Sequence, residues 1–99
     1  MNMQNLMVQA QKMQRELAKK KEEIDNSTFE GKSEWITIKM NGKKEIEKVT
    51  LTYNGTISED DKDMLEDMIK IAVNKTVETI NKEIENKLGA ASSGLGGLF

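Results

Sequence analysis

The stretch 35-WITIKMNGKKEIEKVTLTY-53 alternates in a way that a helix cannot use. Ile36, Ile38 and Met40 fall on one side of an extended chain, and Trp35, Thr37 and Lys39 on the other, the period of two expected of a half-buried strand. Asn41-Gly42 is the preferred pair for a two-residue hairpin turn with positive φ at both positions, so a second strand is expected to fold back on the first. That strand, about Glu45 to Tyr53, is apolar at Ile46 and then at Val49, Leu51 and Tyr53, so its alternation slips by one residue around Glu47 and Lys48. A bulge would supply the extra residue; the alternative is that Ile46 simply faces the opposite side. A short strand at Thr28 to Glu30, followed by "GKSE" as a turn, completes a three-stranded antiparallel sheet, which ends at "YNG", residues 53–55.

On both sides of this region the period changes to that of a helix. Upstream, Met3, Leu6, Ala10, Met13, Leu17 and Ile24 keep a spacing of 3, 4, 3, 4 and 7, a heptad seam if Lys20 takes the missing position. A helix over about residues 3–25 is expected, with a seam narrow enough to suit another helix. Downstream, "SEDDKDMLEDMI", Ser58 to Ile69, crowds six carboxylates into its first ten residues before turning apolar. Ser58 and Asp61 have the spacing of a capping box, and the acids lie where free amides and the helix dipole favour negative charge. A second helix is therefore expected from this block to a stop at Gly89, about 45 Å at 1.5 Å per residue. Its stripe is two residues wide per turn from Met64 to Val73, enough to cover a sheet, and one wide from Val77 to Leu88, enough only for a helix. Strands of about seven residues span only about 23 Å. Both helices must then overhang the sheet, and the first meets the far half of the second, within one chain or between two. The fold class is α+β, with residues 1–88 as a single domain and 89–99, "GAASSGLGGLF", as a flexible Gly/Ser-rich tail whose Leu98 and Phe99 have an undetermined role.

Composition removes most catalytic chemistry. The chain of 99 residues has no Cys and no His, hence no disulfide, no thiolate and neither of the commonest metal ligand and general base. The acid block lacks the apolar pocket or neighbouring base that would push two carboxylates apart in pKa, and it has no loop of the calcium-binding kind. No phosphate-cradling glycine loop and no nucleophile elbow is present. A secreted helical hairpin with a central Trp-x-Gly turn fails because Ile-Thr follows Trp35 in strand periodicity. No catalytic residue, metal or cofactor is expected, and without a signal segment or an apolar run of spanning length a cytoplasmic protein is.

Charge is distributed unevenly. The net charge is −2 and the pI about 5.2, which argues against a uniformly basic polyanion binder. Residues 1–24 nevertheless carry five basic against three acidic side chains, and residues 58–68 one basic against six acidic. Lys12, Arg15 and Lys19 share one face of the first helix, and Lys75 and Lys82 one face of the second. Such stripes can follow a phosphate backbone, or they can be ordinary solvated faces. With a single Arg and no aromatic among the bases, sequence readout is poorly supplied.

Two segments in this order resemble the YbaB/EbfC family of bacterial nucleoid-associated proteins: "NLMVQAQKMQREL", Asn5 to Leu17, and "DDKDMLEDMI", Asp60 to Ile69. The likeness extends over nearly the whole chain, from helix through "MNG" to a tail ending "GLF". It implies a homodimer with projecting helices that binds double-stranded DNA with little sequence specificity and coats or bridges it in the nucleoid. Recombination or replication proteins are the partners it suggests. Carried over by position, the DNA contacts are Lys12, Arg15, Lys19, Lys20, Lys75, Lys82 and Lys87, and helix or dimer packing falls to Leu6, Met13, Leu17, Val77, Ile80 and Ile84. The first hairpin departs from the family in its short "GKSE" loop. The rival reading is a dimeric protein–protein adaptor with no nucleic-acid ligand.

Overall fold

The structure is a computed structural model and describes residues 2–89. The expectations about the 89–99 tail fall outside these residues from residue 90 onward. Helix α1 spans Met3–Asp25, strands β1, β2 and β3 span Thr28–Ser33, Ile36–Asn41 and Ile46–Leu51, and helix α2 spans Lys62–Leu88 after a single 3-10 turn at Glu59–Asp61. The strands form one antiparallel sheet in the order β1-β2-β3. The fold is thus the α+β arrangement expected, one long helix at each end of a three-stranded meander.

Local chemistry sets the helix ends. Asn2 caps α1, its side-chain oxygen accepting from the Asn5 N–H at 3.1 Å, and the Asn26 N–H and Ser27 Oγ donate to the Glu22 and Glu23 carbonyls to close the other end. At the start of the acid block, the Asp61 carboxylate accepts from both the N–H and the hydroxyl of Ser58, at 2.9 and 3.1 Å. The carboxylates that follow sit on the free amide end of α2, where its dipole favours them.

Two turns differ from expectation. Strand β1 continues through Gly31 to Ser33, so the first turn is Glu34-Trp35 rather than "GKSE", with Ser33 facing Ile36 and Glu34 at φ 45°. The second hairpin is not closed by a two-residue Asn-Gly turn. Lys44 N–H donates to the Asn41 carbonyl at 3.0 Å, and the left-handed residue is Lys44, at φ 66°. That pattern is a four-residue turn followed by a left-handed position, one of the longer hairpin closures. Gly42 serves a different need: a Cβ there would collide with the carbonyl of Ile24, and its N–H instead donates to the Asp25 carbonyl at 3.3 Å. The end of α1 rests on the hairpin backbone. In β3, Lys48 pairs with Lys39 and Ile46 with Met40, so Glu47 is the extra residue and the slip in the sequence is a bulge.

The core lies between one face of the sheet and α2. Ile36, Ile38 and Met40 of β2 and Met68, Ala72 and Ile80 of α2 are buried together, with Phe29, Trp35, Leu65, Val73, Val77 and Ile84 around them. The helix sits close over β1 because Gly31 meets it with no side chain; a Cβ there would run into Thr76 and lie 2.8 Å from the Ala72 carbonyl. Thr76, fully buried, turns its hydroxyl back to that carbonyl at 2.7 Å and so buries no free donor. Helix α2 contacts β1 and β2. Antiparallel partners share a face, so Leu51, Val49 and Ile46, opposite Ile36, Ile38 and Met40, lie on the core side of β3. They are nevertheless 47%, 55% and 51% exposed.

The molecule is 70 × 19 × 17 Å. Helix α2, at about 1.5 Å per residue, accounts for only about 40 Å of that length. Of α1, only Leu17, Lys21, Ile24 and Asp25 are shielded; residues 3–16 are all exposed and form an arm of about 21 Å.

Candidate nucleic-acid interface

The arm carries the basic stripe. At about 100° per residue, Lys12, Arg15 and Lys19 fall within an arc of about 60°, centred nearly opposite the Leu6, Met13, Leu17 and Ile24 seam. The seam turns toward α2 in the covered half, so the basic face, from Lys12 to Lys19, looks outward across the junction of the arm and the covered half. Lys12, Arg15, Lys19 and Lys20 are all exposed, and none makes an ion pair among the described residues. Lys20 lies about 80° from Lys12 and about 140° from Arg15, beside Met13 on the seam side of the helix, so it is not part of the stripe.

The lysines of α2 are arranged differently. Lys75 and Lys82, a heptad apart, share a face, but Lys75 Nζ donates to the Lys32 carbonyl at 3.4 Å and Lys82 pairs with Glu78 at 3.2 Å. Lys87 pairs with Glu83 at 3.2 Å and is turned about 140° away from Lys82. Each of these pairs is surface-exposed and weak, so a phosphate can replace the carboxylate, yet their field is partly cancelled. The i, i+4 spacing of Glu78 with Lys82 and of Glu83 with Lys87 shows this already in the sequence.

The residues expected in helix packing separate into two groups. Leu17, Val77 and Ile84 are half-buried and Ile80 is fully buried, all in the region where α1 meets α2 or the core. Among the described residues Leu6 is 44% and Met13 62% exposed, ahead of the cover that begins at Leu17. The alternation marks Val49 and Leu51 as one apolar face of their strand but not that this face is left half exposed, since one helix does not roof all three strands. A sheet-facing stripe only two residues wide was the available signal, since such a helix covers about two strands at their spacing of about 4.8 Å.

No group of three or more His, Cys, Asp or Glu able to hold a metal ion occurs among the described residues. No helix among them is long and apolar enough to cross a membrane.

A small α+β protein with an exposed cationic helix arm and an uncovered sheet strand offers two surfaces suited to binding other macromolecules. Comparison with known sequences defines the kind. The sequence model of the YbaB/EbfC DNA-binding family matches residues 1–95, and the chain belongs to that family. It is 38% identical over 97 residues to a nucleoid-associated protein of Lactococcus lactis subsp. cremoris strain MG1363, covering 96% of this chain and 97% of that one. It is 37% identical over 99 residues to one of Ruminiclostridium cellulolyticum, covering 98% and 85%, and 35% identical over 101 residues to one of Chloroflexus aurantiacus, covering the whole of both.

Proposed function

We propose that the protein is a bacterial nucleoid-associated protein that binds double-stranded DNA as a homodimer, with little sequence preference, and coats or bridges the duplex. The observation that carries this reading is the free basic face of the α1 arm: Lys12, Arg15 and Lys19 aligned, exposed and without carboxylate partners among the described residues. Lys20, on the seam side of the same helix, adds charge beside that face, and Lys75 and Lys82 extend it along α2, with Lys87 as a peripheral contact. Lysine ammonium groups bind phosphate as point charges and read no base edges, which fits binding without sequence preference. The acid block spans the 3-10 turn and the first turns of α2 and keeps phosphate off that end of the helix.

The bare core side of β3 supports the dimer. Ile46, Val49 and Leu51 form an apolar row continuous with the buried row of β2, and a second copy covering it would complete the core on both sides. Two arms would then present six to eight cationic groups to one duplex or to two.

Anisotropy of a labelled duplex of arbitrary sequence tests the reading. Six to eight neutralised phosphates predict a slope of log affinity against log salt of about −5 to −7, a loss of about 10³- to 10⁴-fold between 50 and 200 mM salt. The triple variant Lys12→Glu, Arg15→Glu, Lys19→Glu should bind no DNA while keeping its helical circular dichroism. Undiminished affinity in that folded variant would refute the assignment of the arm.

A further inference from the structure

The first eleven residues, MNMQNLMVQAQ, contain no charged side chain in a chain that is 32% charged. Within α1 they carry Met3, Leu6, Met7 and Ala10, and the ridge continues through Met13 to Leu17, where the cover of α2 begins. Ahead of Leu17, Met3 is 78% exposed, Met13 62%, Met7 61% and Leu6 44%. A contiguous exposed apolar ridge at the end of a projecting helix is unusual for a surface that meets only water. A helix of about this length also has little stability of its own.

We propose that this uncharged half of α1 is a self-association surface, on which the same segment of a second copy lies antiparallel, seam to seam. Three features select that occupant. With Met3, Leu6, Ala10 and Met13 as the seam, the flanking positions are Met7, Gln9, Gln14 and Glu16, so two copies meet with almost no like-charge repulsion. The absence of Lys and Arg from the first eleven residues leaves an anionic membrane or an acidic peptide nothing to recognise. Lys12, Arg15 and Lys19 face away from the seam, so pairing leaves two cationic faces on opposite sides of the joint. The antiparallel direction follows from α2, which occupies the α1 seam from Leu17 onward and would clash with a parallel copy slid past that point. It also sets the two helix dipoles head to tail.

The overlap is short, about 14 residues or two heptads, so the contact is weak at low concentration. Copies held side by side on DNA reach a local concentration at which a weak contact fills. The arm then joins neighbouring molecules, or two duplexes, without giving up its phosphate contacts. The pairing itself does not rest on the DNA-binding reading; only its enhancement by DNA does.

The chain has no cysteine, which makes a cross-linking test clean. Ala10→Cys places one thiol in the seam, and Lys12→Cys places one on the opposite face. With a short flexible bis-maleimide, whose reach exceeds the Cα separation a disulfide allows, Ala10→Cys should cross-link between chains at least ten times faster than Lys12→Cys, and faster again with a long duplex present. Adding Leu6→Glu and Met13→Glu to the Ala10→Cys chain should abolish the cross-link while circular dichroism shows the helices intact. Equal rates in the two cysteine variants, or a cross-link indifferent to the two Glu substitutions, would overturn the proposal. So would a cross-link that appears only when residues 90–99 are deleted, which would assign the seam to the chain's own C-terminal segment. Seam-specific cross-linking that DNA fails to accelerate supports the pairing and counts against the DNA reading alone.

Discussion

Gly42 and Lys44 stand two residues apart in one turn and answer to opposite demands. Gly42 is buried under the last carbonyls of α1, where any Cβ meets the Ile24 backbone. Backbone cannot step aside as a flexible side chain can, so Gly42→Ala is expected to cost about 2–3 kcal/mol in urea unfolding, in the range of overpacked interiors. Lys44 carries the left-handed φ of 66° that an L side chain disfavours. Lys44→Gly should therefore stabilise the fold by about 0.5–1 kcal/mol, the left-handed strain of about 1–2 kcal/mol less the added freedom of glycine when unfolded. Responses of opposite sign in the same turn, read by the same titration, would separate the two roles. A destabilised Lys44→Gly would show that Lys44 is held by more than its backbone.

At the scale of elements, β3 is the exception among otherwise satisfied parts. Its apolar row is half exposed while the matching row of β2 is buried, and the difference arises because α2 lies over β1 and β2. If a second copy covers the row, Val49→Asp places a charge in that contact and halves the mass measured by light scattering, with little loss of helical signal. A Val49→Asp protein with unchanged mass would place the dimer contact elsewhere. The helices were legible in the chain because periodicity reports which face is apolar; the slip around Glu47 was legible too, but only the strand register decides for a bulge over an Ile46 that faces the other side. The Ser58–Asp61 cap was legible for a similar reason, since its chemistry is local. The turns were less so. Asn41-Gly42 has the residues of a tight hairpin, but Gly42 is required by α1 packing from eighteen residues upstream, a contact that no local pattern records. Extension of β1 to Ser33 depends in the same way on α2, which needs Gly31 beneath Ala72 and Thr76. For the candidate interface, the identity and spacing of Lys12, Arg15 and Lys19 could be read directly. That the arm stands free of α2 up to Glu16 needed the fold.

At the scale of the whole molecule, the protein is a rod 70 Å long with an acidic block and a basic arm on different helices. A net charge of −2 gives no long-range attraction to DNA, so the proposed binding by the arm acts at close range, within a Debye length of about 8 Å at physiological salt. Removing the acid block should then change affinity little at that salt and more at low salt. Replacing Glu59, Asp60 and Asp63 by the neutral amides is expected to tighten duplex binding severalfold at 20 mM salt and not measurably at 150 mM. An equal gain at both would mean that the block lies against the duplex.

The measurement that bears most directly on this account is salt-titrated anisotropy of one labelled duplex with the wild-type chain and the Lys12→Glu, Arg15→Glu, Lys19→Glu variant side by side. The account predicts a linear log–log dependence of slope about −5 to −7 for the wild type and no binding at any salt for the folded variant. A variant that binds with the wild-type slope would contradict it.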